Sequence, residues 1–173
     1  MAGILGFYWI AHPRSTRERL TLLSGDFPDK IDFADGSIGA VLVCRVMHFF
    51  DGPTIERSAA RIMRWLAPGG KAFIVGETPF IGTAREFLPI YKARVRAGEP
   101  WPGIVENVGA HDPKRASLLP RLMHLLEETT LRRVFLKADF TIEKLGTFPR
   151  PEFPPDIRLD GRESVGLIAQ KRR

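Results

Sequence analysis

The chain has one cysteine, Cys44, in 173 residues. That scarcity excludes an intrachain disulfide and a multi-cysteine metal centre, and it suits a reducing, cytoplasmic setting. No stretch reaches the roughly 18 consecutive apolar residues needed to cross a bilayer, so no membrane span is expected. The opening run MAGILGFYWI is apolar but has no basic leader and no small-residue cleavage site, and Pro13 and Arg14 follow at once, which argues against a signal peptide. Neither a GxxxxGK[ST] nor a GxGxxG pattern occurs, so no phosphate-cradling loop of either kind is expected. His111 and His124 lack metal-ligand spacing, and each reads as a surface or loop histidine. A basic stripe is missing too. Arg94, Arg96, Arg132, Arg133 and the tail Lys171, Arg172 and Arg173 are scattered, so the net charge of +6 supplies only salt-dependent attraction and argues against a nucleic-acid partner.

What is present is ordinary globular composition, 44% hydrophobic and 27% charged, enough for one domain with a packed core. Residues 20–23 form a short apolar run closed by Ser24, Gly25 and Asp26, which predicts a buried strand and a turn. The polar turn 33–37 leads into the β-branched run 40–43, predicting a second strand that continues through Cys44 toward Val46. Between Pro53 and Leu66, apolar Ile55, Ala59, Ile62 and Met63 recur at helical spacing, with Pro53 suited to a first turn and Pro68, Gly69 and Gly70 supplying the stop. A third run, 71–75, ends at Gly76 and Glu77. Strand, helix and strand in this order predict a right-handed crossover and parallel pairing. Residues 80–101 read as mainly helical, and 118–136 as helical again. Residues 140–148 and 165–171 read as two closing strands, joined by a stiff proline-rich loop.

The segments LTLLSGDFPDKIDFADGS, GAVLVCRVMHFF, RWLAPGGKAFIVGETP, RRVFLKADFTIEKLGTF and ESVGLIAQK, in this order, resemble class I S-adenosylmethionine-dependent methyltransferases from their third strand to their end. The resemblance implies an α/β, Rossmann-like sheet that is mostly parallel with an antiparallel C-terminal strand and lacks the usual first βαβ unit. It implies an atypical segment 1–19, a methyltransferase-like domain 20–173, and a substrate-side insertion at 80–126. The implied cofactor is S-adenosyl-L-methionine, and the implied partner a small-molecule methyl acceptor.

Ligands of open α/β sheets sit beyond the carboxyl ends of the strands, so the resemblance transfers roles to residues there. Asp26 matches the acid that accepts from the adenine amine, with Gly25 in the turn and Phe27 able to cover the base; a simple Gly25–Asp26 turn is the alternative. Cys44, Arg45 and Val46 match the methionine side of the donor pocket. His48 is a candidate proton acceptor or an ordinary pocket-lining histidine. Glu77 orients substrate or caps the next helix through Thr78 and Pro79. Two departures stand against simple transfer: the glycine-rich first turn and the second-strand acid have no match within residues 1–19, and Gly39 replaces an acid before the fourth strand. The family's first strand is central, so its loss predicts an open sheet edge that re-pairs with residues 1–10, dimerises or destabilises the chain. A non-catalytic methyltransferase remnant serving as an interaction or dimerisation module is the alternative function.

Overall fold

The computed structural model describes residues 20–112, 114, 116–117 and 120–173; the apolar opening run and the rest of segment 1–19 lie outside them. Strand β1 (Ile38–Cys44) is followed by helix α1 (Gly52–Trp65) and strand β2 (Leu66–Glu77). Asp51 starts α1: its carboxylate accepts from the Thr54 N–H at 2.8 Å, and Pro53 occupies the first turn, where its missing donor costs nothing. Ile55, Ala59, Ile62 and Trp65 form the buried stripe of the helix, as their three- and four-residue spacing requires. β1 and β2 pair in parallel, from Ala40 beside Lys71 to Cys44 beside Val75.

The second half of the chain completes the sheet. Helix α3 (Glu128–Lys137) leads through Asp139, in the left-handed region at φ 65°, into β5 (Phe140–Phe148) and then β6 (Ser164–Lys171). The order is β1-β2-β6-β5. β6 runs antiparallel to both neighbours, so three strands share one direction and only the C-terminal strand opposes them, as the sequence implies. Ile55, Ile62 and Trp65 of α1 and Leu131, Val134 and Phe135 of α3 pack with Ile74, Val165 and Leu167 of the sheet in one core.

Between β2 and α3 the chain builds a second apolar cluster around Ile81, Phe87, Tyr91, Val105 and Met123. It contains α2 (Leu88–Arg96) and the short antiparallel pair β3 (Ile104–Val105) and β4 (Met123–His124). Trp101 joins the two clusters. Its ring lies where a side chain on Gly52 would stand, edge-on to His124 at 5.1 Å and under the Arg133 guanidinium at 4.3 Å.

Three expectations are corrected. Residues 20–23 are not a buried strand: Leu20, Leu22 and Leu23 are 56%, 64% and 57% exposed, and no strand among the described residues pairs with them. Apolar content cannot make a strand without a ladder partner. The helix foreseen from 118 begins only at Glu128, because the preceding backbone is spent on tertiary bonds, Leu125 N–H to Gly103 O at 2.8 Å and Leu126 N–H to Glu77 O at 2.7 Å. His124 is not a surface histidine but is 1% exposed, with its Nδ1–H directed at the Phe50 carbonyl 3.2 Å away.

This packing has two measurable consequences. A Cβ on Gly103 would lie 1.9 Å from Leu125 O, whereas one on Gly39 meets nothing within 4 Å. Urea unfolding should therefore show Gly103→Ala destabilised by about 1 to 3 kcal/mol and Gly39→Ala nearly unchanged; equal midpoints would contradict the close approach. Burial pushes the His124 imidazole down from 6.5 to about 4, the Phe50 carbonyl opposing this only partly. The unfolded chain then binds a proton that the folded chain refuses, so stability is lost as pH falls from 6.5 toward 4. This residue alone should cost about 2 kcal/mol between pH 8 and pH 5. His124→Gln should remove that part of the pH dependence; an unaltered dependence would show that His124 protonates freely in the folded state.

Candidate active site at the carboxyl ends of β1 and β2

The register that pairs Cys44 with Val75 brings the residues after β1 beside the end of β2. Arg45 donates its backbone N–H to Val75 O at 2.8 Å and stands at φ 59°. That conformation is strained for a residue with a side chain, and strain of this kind collects at functional sites. It ends β1 at Cys44, short of Val46, and turns the Arg45 guanidinium onto the Glu77 carboxylate, with which it forms a hydrogen-bonded ion pair. Glu77 is buried, 7% exposed. A carboxylate so far removed from water needs a cation or converging hydrogen-bond donors, and here the guanidinium supplies both charge and donor.

The chain then makes a single 3₁₀ turn, Met47–Phe49, and the turn buries His48 at 3% exposure. Desolvation lowers its pKa below the ordinary 6.5; Glu77 pulls it back up and Arg45 pushes it further down. His48 is thus neutral near pH 7, and its Nδ1 has no hydrogen-bond partner among the described residues. Arg45, His48 and Glu77, separately singled out in the sequence, form one electrostatically coupled group.

The residues assigned to the adenine end lie apart from that group. Asp26 is exposed and ion-paired with Lys30 at 2.5 Å, while the Asp26 carbonyl accepts from the Lys30 N–H at 2.7 Å, so the local turn exists whether or not a ligand is bound. Phe27 packs on Phe50 and Trp65 at ring distances of 6.0 and 6.2 Å. Phe27 and Val46 share an apolar cavity of about 460 Å³, closed on other sides by Leu23, Phe33, Leu42 and Trp65. Gly25, Asp26 and Cys44 do not line it, and Cys44 is exposed at the end of β1. Among the described residues no group of three or more His, Cys, Asp or Glu could hold a metal ion, and no helix is long and apolar enough to cross a membrane.

Sequence reading missed the wall on the far side of Arg45. Because Glu77 pairs with Ser164, and Ser164 with Phe148, the connection 149–163 leaves and re-enters the sheet level with Glu77. It carries Phe153, whose ring lies 5.3 Å from the Arg45 guanidinium and 4.5 Å from that of Arg150. The prolines advertise a stiff loop; nothing in their spacing says which strand end it covers.

Comparison with known proteins bears on the fold. Residues 9–74 match the family model described as a methyltransferase domain. No curated protein matches the chain. Among solved structures, a SAM-dependent methyltransferase from Methanosarcina mazei is 18% identical with a TM-score of 0.54, over 83% of this chain and 63% of that one. An S-adenosylmethionine-dependent methyltransferase from Mesorhizobium loti is 17% identical with a TM-score of 0.53, over 83% and 66%. The 1,6-didemethyltoxoflavin-N1-methyltransferase of Burkholderia thailandensis, solved with its acceptor and S-adenosylhomocysteine bound, is 15% identical with a TM-score of 0.51, over 82% and 47%. The chain thus spans less than two thirds of the length of the first two structures and about half of the third. The sheet order and these structural likenesses show that the chain has the Rossmann-like fold of class I S-adenosylmethionine-dependent methyltransferases, and residues 9–74 carry the sequence match to a methyltransferase domain.

Proposed function

We propose that the chain serves S-adenosylmethionine-dependent methyl transfer to a small-molecule acceptor, with Arg45, His48 and Glu77 on the acceptor side. The observation that carries the reading is the meeting of a buried neutral imidazole and an ion pair between buried Glu77 and partly exposed Arg45 where parallel strands end, the place where open α/β sheets hold ligands. S-adenosylmethionine, if held on the Phe27 and Val46 side, would supply an electrophilic methyl group for the acceptor's lone pair. His48, kept neutral by burial, takes the proton that the acceptor sheds, and Arg45 and Glu77 fix the acceptor's polar atoms. Such a reaction needs alignment more than a large acid–base set.

The fit of the donor is uneven. Phe27 and Val46, on an apolar cavity of about 460 Å³, suit a flat base, with the Asp26 carboxylate nearby in sequence to accept from its amine. Among the described residues that line the cavity only Thr21 carries a side-chain hydroxyl, so these residues offer few polar partners for a ribose and an amino-acid tail. The described residues fit the adenine end of the donor and not the remainder.

A second reading has an observation of its own. β1 is an edge strand among the described residues, Leu42 on it is 69% exposed, and unpaired strand edges beside apolar surface invite pairing. This supports a dimerisation role through β1 of two copies. Leu42→Lys should then shift sedimentation from dimer to monomer, and a wild-type monomer at all concentrations would remove the reading.

For the methyl-transfer reading, Asp26→Ala should weaken S-adenosylhomocysteine binding by about 1 to 3 kcal/mol with the fold intact; an unchanged calorimetric isotherm would reject the adenine assignment. His48→Asn should lower turnover by about a hundredfold or more while leaving donor affinity nearly unchanged. It should also abolish the acid-side fall in activity, which lies below pH 6.5 because the His48 pKa is lowered. A full pH profile identical to that of the unsubstituted chain would return His48 to a packing role.

A further inference from the structure

Glu163 is a buried carboxylate held by three backbone N–H groups, and it lies outside the Arg45, His48 and Glu77 group. It is 1% exposed. One oxygen accepts the backbone N–H groups of Leu159 at 2.9 Å and Gly161 at 3.0 Å, and the other accepts that of Arg150 at 3.2 Å. Among the described residues no cation forms an ion pair with Glu163: Arg150 is ion-paired with Glu152 and Arg162 with Asp160. Burial alone would raise its pKa, but the converging backbone donors outweigh burial and hold it at about 2, so it is a carboxylate at any ordinary pH.

Those three donors are spread over the connection between β5 and β6, near its start and near its end. A single carboxylate therefore sets the shape of a loop that has no secondary structure of its own. The same loop is tied to the segment leaving β2. Thr78 N–H bonds Glu163 O at 3.1 Å, Gly82 N–H bonds Ile157 O at 2.6 Å, and the Thr78 hydroxyl donates to Arg162 O. A Cβ on Gly82 would lie 2.3 Å from Asp156 O, so the approach is as close as backbone allows. Held this way, the loop presents Phe153 between Arg150 and Arg45, and Arg45 is the cation paired with Glu77.

We propose that Glu163 is a positioning residue: by gathering the backbone of residues 149–161 it sets Phe153 against Arg45 and so fixes the wall that faces the acceptor beside Glu77. That the wall faces an acceptor rests on the methyl-transfer reading. The coupling from Glu163 through Phe153 to Arg45 does not, and it can be measured without donor or acceptor.

The readout is the Arg45 Nε–Hε signal in the proton–nitrogen spectrum of the full chain, assigned by its disappearance in Arg45→Lys. A phenyl ring over the guanidinium displaces that signal, and Phe153→Leu should return it to the ordinary arginine position. Glu163→Gln should move it most of the way to the Phe153→Leu position while the Leu131 and Val134 amides of the core keep their slow exchange. Glu163→Asp, which keeps the charge but withdraws it by one methylene, should move it part of the way, and it stands in if the glutamine variant fails to fold. The proposal is overturned if the signal stays in place in both Glu163 variants although the Leu159 and Gly161 amides exchange faster, because Glu163 would then hold the loop without acting on Arg45. It is equally overturned if Phe153→Leu leaves the signal unmoved. In turnover with any accepted substrate, Phe153→Leu should raise the acceptor KM severalfold and leave the donor KM alone. An unchanged acceptor KM with the Arg45 signal shifted would refute the wall, whereas failure to find any methyl acceptor would remove the methyl-transfer reading and leave the coupling standing.

Discussion

The pairing of Arg45 with Glu77 is the interaction on which the rest of the site depends. Glu77 ends β2 nearly out of water, where an uncompensated carboxylate is costly, and the partly exposed Arg45 offsets that cost. The residue that follows β1 answers it, and does so by adopting a left-handed backbone that side chains ordinarily avoid. The strain, the early end of β1 and the burial of His48 three residues later all follow from that one contact. Parallel pairing is its precondition, since an antiparallel neighbour would place its amino end there instead.

The second consequence concerns shape. The two antiparallel ladders bring the end of β5 and the start of β6 level with Glu77, and the insertion between β2 and α3 is bonded to Glu77 itself through the Leu126 N–H. Three separate stretches of chain thus converge on one strand end. The insertion has its own apolar cluster and is fastened to the main core by Trp101, Gly52 and Arg133, so it can vary in content while the sheet stays fixed. This separation of a stable sheet from variable covering segments is how one fold serves different acceptors.

How much of this is written in the sequence depends on the range of the interaction concerned. The 3.6-residue period of α1 with Pro53 in its first turn and the apolar runs of β1 and β6 are local signals, and these elements lie close to where they predict, whereas β2 starts at Leu66 and takes in Pro68, Gly69 and Gly70, which read as a turn. Arg45, His48 and Glu77 are visible as residues at strand ends; that they touch is visible only through the parallel register. Leu20 to Leu23 mislead because an apolar run has the composition of a strand but no partner among the described residues, and Leu125 and Leu126 mislead because their backbone donors are taken by Gly103 and Glu77 rather than by a helix. His124 is invisible to pattern reading because its partner, the Phe50 carbonyl, lies far away in the chain, and Glu163 because the backbone donors that converge on it come from an irregular loop with no periodic pattern. The prolines of 149–155 reveal stiffness but not direction.

The central claim is that the carboxyl ends of β1 and β2 form one ligand site with the donor on the Phe27 and Val46 side and the acceptor on the Arg45 and Glu77 side. The most direct measurement is a titration of the isotopically labelled chain with S-adenosylhomocysteine, followed residue by residue by NMR. The account predicts saturable shifts concentrated at Asp26, Phe27 and Val46, a smaller response at Arg45, and silence at the far edge strand β5. Shifts centred elsewhere, or none at millimolar ligand, would contradict it.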